Sequence, residues 1–332
     1  MAHEVKNSET LFIYGAKLCN PNGDPDNENK PRIDIKTNTN LVSDVRLKRY
    51  FRDYIINRFG EKYIWVTKVE GSHVNPEERL SKLGLSEAPK DATKYCIDAR
   101  LFGATIPITA KKLKKARGES IQITGPVQFH WGFSLNPVEM VESSTITSMF
   151  VGRKPSEGER AYGTMGKDWR LYYSLIAFYG VVSGLRAKRN GLRDVDVKTL
   201  DNFLWNALKS GATTRSKIGQ TPHLYLRVEY NDDETIIGDL RKFLGRKTER
   251  TIRDVKDVTL DYSSLIKTLE EWNERINATY LRETGEIVTS DGKRLEQRLR
   301  ESDTLKDKVV MLPHPKPQPK TPKEFEEMFV IE

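Results

Sequence analysis

At Asn20 the chain abandons regular secondary structure, and that break governs what can surround it. The preceding Leu11–Leu18 is aromatic and aliphatic and reads as a strand. The run that follows, Asn20-Pro21-Asn22-Gly23-Asp24-Pro25-Asp26-Asn27-Glu28-Asn29-Lys30-Pro31-Arg32, cannot continue it, because Pro21, Gly23 and Pro25 interrupt any ladder or helix. Regular spacing resumes between Asp44 and Phe59, where Leu47, Tyr50, Phe51, Tyr54 and Ile55 fall on one helical face behind Ser43 or Asp44 as N-cap. A turn-rich acidic loop thus joins an apolar strand to a basic amphipathic helix.

Further elements follow in the same alternating style. Strict alternation marks Gly125–Leu135, with Val127, Phe129, Trp131, Phe133 and Leu135 on one face, and His223–Tyr230, with Leu224, Leu226 and Val228 on one face. A helix is predicted over 196–209 from Val197, Leu200, Phe203, Leu204 and Leu208, and a strand around Tyr63–Val69. Tyr172–Val182 has strand composition, although its length also permits a helix. Taken in order these give β-α-β-β-α-β, an α+β ferredoxin-like fold with insertions at 70–120 and 136–168. Residues 1–235 would form this unit, and 236–312 a C-terminal addition packed on it, with a helix at Leu265–Tyr280 and a hairpin at Thr284–Lys293. Residues 313–332 read as an extended proline-rich tail.

Charge narrows the partner class. With 55 Lys and Arg against 47 Asp and Glu the net charge is +8, which fits a polyanion, or simply a solvated basic surface. Cys19 and Cys96 lie in different segments without paired spacing, so neither a disulfide framework nor a thiolate metal site is expected. The amino terminus has no apolar signal core and Tyr172–Val182 is too short to cross a bilayer, so the reading is cytoplasmic with no membrane. His3, His73, His130, His223 and His314 form no metal-ligand pair, and no nucleophile motif, GxxxxGK or GxGxxG is present. An EF-hand reading of the acidic run fails, because Asn29 stands where the loop needs Gly and Ile35 where it needs Glu. No metal and no cofactor are expected. Asp24, Asp26, Asp34 and Asp98 are the carboxylates that the alternative, a metal-dependent RNA endonuclease, would use.

The basic residues are clustered. Arg46, Lys48, Arg49 and Arg52 are expected on the helix face opposite the apolar stripe, near free N–H groups that favour an anion. Others are Lys111–Arg117, Lys167 with Arg170, Arg186 with Lys188, Arg189 and Arg193, and Arg215 with Lys217. Several flank predicted strands, so one sheet could gather them into a phosphate-tracking groove with little base reading.

Motifs in a fixed order then carry a resemblance. Asn20–Asp26, Pro31-Arg32-Ile33-Asp34, Leu41–Arg49, Asp98–Ala104, Gly125–Phe129 and Gly163–Asp168 closely resemble the Cas-seven family, the repeated backbone subunit of type I CRISPR Cascade complexes, and within it the I-B branch. The likeness covers roughly residues 10–230, while the Lys111–Arg117 run has no assignable place in it. It implies an RRM-like palm, a finger region in 70–120 and a thumb hairpin in 136–168. It also implies a non-catalytic subunit whose copies polymerise along one CRISPR RNA (crRNA) beside other Cascade subunits, presenting the spacer to target DNA. Carried onto this chain, Leu47-Lys48-Arg49 would contact crRNA phosphate, Asp98–Ala104 with Arg100 would line the groove, and Arg215 with Lys217 would form its basic loop. A thumb wedge would come from Ile146, Met149 or Phe150. Type III relatives cut RNA with a loop aspartate, for which Asp24 or Asp34 would be the candidate.

Overall fold

Two twelve-residue strands, β1 (Ser8–Cys19) and β2 (Leu171–Val182), lie antiparallel at the centre of a nine-stranded sheet. Ser8 pairs with Val182 at one end and Cys19 with Leu171 at the other. This is a computed structural model that describes residues 4–86, 88–107, 120–142, 144–147, 165–314 and 318–331. On the far side of β1 comes β3 (Gln220–Tyr230), then β4 (Ile276–Glu283) and Val309–Met311. Beyond β2 lie Val127–Phe129 and Gly132–Pro137, followed by Thr39–Val42 and Ile33–Asp34 at the edge.

Both faces of the sheet are covered, which is why β1 reads as a nearly continuous apolar run. Phe12, Tyr14 and Ala16 face α1 (Asp44–Phe59) and α2 (Asp194–Gly211), whose Tyr54 and Phe203 rings meet at 5.1 Å. Leu11, Ile13, Leu175, Leu224 and Leu226 face the other way, into a core completed by Leu240, Leu260, Leu265, Leu269, Leu295 and Leu299. A third, small cluster of Trp65, Leu80, Leu85, Cys96, Ala99 and Ile106 organises the segment after α1, with the hairpin Gly103–Pro107 and Ser120–Thr124. At the carboxyl end the Pro322–Phe329 helix sets Phe325 on Phe59 and Tyr63, at 4.4 and 4.9 Å.

The structure corrects several expectations. Tyr63–Val69 is not a strand, because the Asp98 carboxylate takes the N–H groups of Trp65 and Val66, at 2.6 and 3.2 Å, that a ladder would need. The place beside β2 goes to 127–137 instead. There the alternation conceals a switch: Val127 and Phe129 enter the helix-side core, Leu135 the opposite one, and Trp131 at the break is 41% exposed. The Leu265–Tyr280 helix stops at Glu271, and Ile276 onward pairs with β3 as β4. Val288–Thr289 forms no hairpin but adds in parallel to Val258–Asp261. Tyr172–Val182 resolves as strand.

Candidate nucleic-acid interface

The Asn20–Arg32 loop is fastened to the start of α1. Asn22 Oδ1 accepts hydrogen bonds from both the backbone N–H and the hydroxyl of Ser43, each at 2.9 Å. Ser43 Oγ in turn accepts from Arg46 N–H at 3.3 Å as the N-cap. The loop entering β3 comes to the same place: Asn20 N–H donates to the Ser216 carbonyl, and the Lys217 ammonium donates to the Asn20 and Pro21 carbonyls at 2.6 and 3.2 Å. Arg170 closes the corner, donating to the Leu18 and Arg215 carbonyls and gripping Asp168 through Nε and Nη2 at 2.9 and 2.8 Å. A cavity of about 430 Å³ results, lined among others by Asn22, Arg46, Lys167, Asp168, Trp169 and Lys217.

Its electrostatics favour an anion. Lys217 has no carboxylate partner among the described residues, and burial, reinforced by the positive charge of Arg46, pulls its pKa down to about 8. Arg46 lies over the Tyr50 ring at 4.0 Å with its Nε unpartnered and no ion pair among the described residues. Two carboxylates line it, and both are engaged: Asp168 by Arg170 and by Arg215 at 3.4 Å, and Glu28 by Lys30 at 3.9 Å. Lys30 and Lys167 sit 4.6 and 5.8 Å from the Trp169 ring, whose buried Nε1 has no partner. Arg46 and Lys217, without carboxylate partners among the described residues, together with an indole suit a phosphate with a ring next to it.

Of the expected phosphate contacts, Arg46, Lys167, Arg170, Arg215 and Lys217 converge here. Lys48, Arg52 and Arg100 do not, because each is buried on partners of its own. Lys48 is buried against Asp44 and Gln128, Arg52 is bound to the buried Asp98 at 2.7 Å, and Arg100 is fully buried on Asp196 at 2.8 Å. Arg49 is paired with Asp53 and opens on a different cavity. Arg186, Lys188 and Arg189 lie past Val182, at the opposite end of the sheet, roughly 35 Å away by strand rise. Lys188 is tied there to Glu4 and Asp233. Ile146 is half-buried on Thr145–Thr147, which pairs with Met165–Lys167, while Met149, Phe150 and Lys111–Arg117 lie outside the described residues. Sequence reasoning missed Trp169 and Lys30; an aromatic inside Lys167-Asp168-Trp169-Arg170 was the available signal.

The family model for CRISPR-associated protein Cas7 matches residues 6–263. The chain belongs to the Cas7 family. A Cas7 protein of Haloferax volcanii is 36% identical over 313 residues, covering 87% of this chain and 90% of the relative. Among solved structures, chains of two CRISPR RNA-guided surveillance complexes, one of them described as pre-nicking, are similar. The pre-nicking one has TM-score 0.47 and 15% identity, covering 84% of this chain and 93% of that one. The other has TM-score 0.43 and 14% identity, covering 84% and 89%. A type III-B Cmr-beta chain in a complex bound to cognate target RNA scores 0.39 at 13% identity, covering 68% and 61%.

Three of the candidate aspartates of this Cas7 family member each have a partner of their own. Asp24 faces Arg32 at 3.0 Å, Asp34 accepts from Lys36 N–H and the Thr37 hydroxyl, and Asp98 is buried under Arg52. Among the described residues no group of three His, Cys, Asp or Glu could hold an ion, and no helix is long and apolar enough to cross a membrane.

Proposed function

We propose that the chain is the crRNA-binding backbone subunit of a type I Cascade complex of the I-B branch, polymerising along crRNA in the cytoplasm and presenting the spacer to target DNA. The observation that carries this reading is the cavity at the Asn20–Arg32 loop, where Arg46 and Lys217 stand without carboxylate partners among the described residues. Around it the order β3-β1-β2 followed by 127–137 fits a ferredoxin-like, RRM-like palm, with the strands at 145–147 and 165–167 as the base of the thumb. The finger region then falls in 70–120, other Cascade subunits and further copies flank the chain, and its role is scaffolding rather than catalysis.

Arg46→Ala with Lys217→Ala should weaken binding to a crRNA-length single strand and lower the slope of log affinity against log salt by about one to two. Filter binding across a salt series measures both. Unchanged affinity and slope would overturn the assignment of the site.

A further inference from the structure

A second cavity on this chain has the features of an anion site, and it rests on one unusual arginine. The described residues include six buried Lys or Arg side chains: Lys48, Arg52, Arg79, Arg100, Arg227 and Arg241. Five of them sit on a carboxylate, namely Asp44, Asp98, Asp196, Asp201 and Asp239 respectively. Arg79 is 4% exposed, yet no carboxylate among the described residues lies within the 4.0 Å of an ion pair. Its Nη2 donates to the Glu61 and Ile64 carbonyls, each at 2.6 Å, it neighbours the neutral Cys96 thiol, and its Nε has no hydrogen-bond partner among the described residues. A buried guanidinium held only by neutral groups is costly unless an anion completes it.

Arg79 lines a cavity of about 430 Å³ together with Arg49, Trp65, Lys68 and His73. Lys68 and His73 are exposed and have no ion pair among the described residues, and no carboxylate lines the cavity. Neighbouring acids are engaged elsewhere: Asp53 with Arg49, Asp98 with Arg52, Glu78 at the N-cap of the Pro76–Lys82 helix, and the Glu61 carboxylate with the Glu70 N–H. Trp65 supplies an aromatic wall beside the charges.

We propose that this cavity is a second phosphate site, taking a phosphodiester of a single nucleic-acid strand: Arg79 and Lys68 on the oxygens, His73 as a further donor and Trp65 against the adjoining ring. It goes beyond the function proposed above and uses none of the residues of the palm cavity except through their shared helix α1, on which Arg46 opens to one cavity and Arg49 to the other.

The test uses the full chain with a short oligouridylate and the matching oligodeoxythymidylate, read by fluorescence anisotropy across a salt series. Lys68→Gln with His73→Gln changes only exposed side chains and leaves Arg79 and its carbonyls in place, so folding is not at issue. It should lower affinity and reduce the salt slope by about one. Loss on both oligonucleotides identifies the shared phosphate as ligand; loss on one identifies RNA or DNA as the strand that fills the cavity. Unchanged affinity and slope on both overturns the proposal. The same measurement on Arg46→Ala with Lys217→Ala separates the two cavities. If that pair changes nothing while the Lys68 and His73 pair does, the palm reading fails and this one stands; the reverse result sinks this one alone.

Discussion

At the scale of residues, Lys217 should make binding in the cavity at the Asn20–Arg32 loop pH-dependent. Its ordinary pKa of 10.5 falls to about 8, chiefly through burial and then through Arg46. A lowered lysine pKa means that the folded chain binds fewer protons than the unfolded one between those values, so this group's contribution to stability improves as pH rises through that window. Binding a phosphate has the opposite demand, because the anion needs the ammonium. Affinity for RNA should therefore fall as pH rises through about 8, and Lys217→Arg should flatten the profile. Cys19, the neighbouring thiol, is pushed up to about 12 by burial and stays neutral across that range. Anisotropy titrations at fixed salt across the pH series check both the fall and its removal. The cations of this cavity were legible in the sequence as clusters beside strands. Those of the core were not, because the counter-charges that bury Arg52 and Arg100 lie 46 and 96 positions away, and no local pattern announces them.

At the scale of elements, Asp98 joins α1 to the segment that follows it. One carboxylate, itself fully buried, neutralises Arg52 and accepts from the N–H groups of Trp65 and Val66. Asp98→Ala would leave an uncompensated guanidinium and two orphan donors, and should destabilise the chain by about 3–5 kcal/mol, measured by urea denaturation. The same contact explains why the strand expected at 63–69 is absent. Residues 63–69 have strand composition, but their N–H groups are taken by a side chain that the helix Ile97–Phe102 delivers. The helices over 44–59 and 194–211 were readable because each keeps one periodicity over its full length, whereas Tyr172–Val182, apolar on both faces, left strand and helix both open. Gly132–Pro137 and β4 were harder. The first follows a face switch at Trp131, and in the second Ile276 and Tyr280 continue by coincidence the spacing of the helix before it.

At the scale of the whole molecule, the question is whether the +8 charge acts as a total or by position. The strand register sets two groups of cations apart: Arg46, Lys167, Arg215 and Lys217 where Cys19 meets Leu171, and Arg186 with Arg189 beyond Val182 where it meets Ser8. These ends are roughly 35 Å apart, too far for one short oligonucleotide lodged in the palm cavity to feel both. Arg46→Ala with Lys217→Ala and Arg186→Ala with Arg189→Ala each remove two positive charges, so net charge alone would make the two variants equally weak. A positioned site makes them different. The first pair should lose affinity for a short strand at moderate salt and the second should keep it, whereas an RNA long enough to run from one copy to the next should register both. Equal losses on the short strand would show that total charge, and not the cavity at the Asn20–Arg32 loop, attracts the nucleic acid.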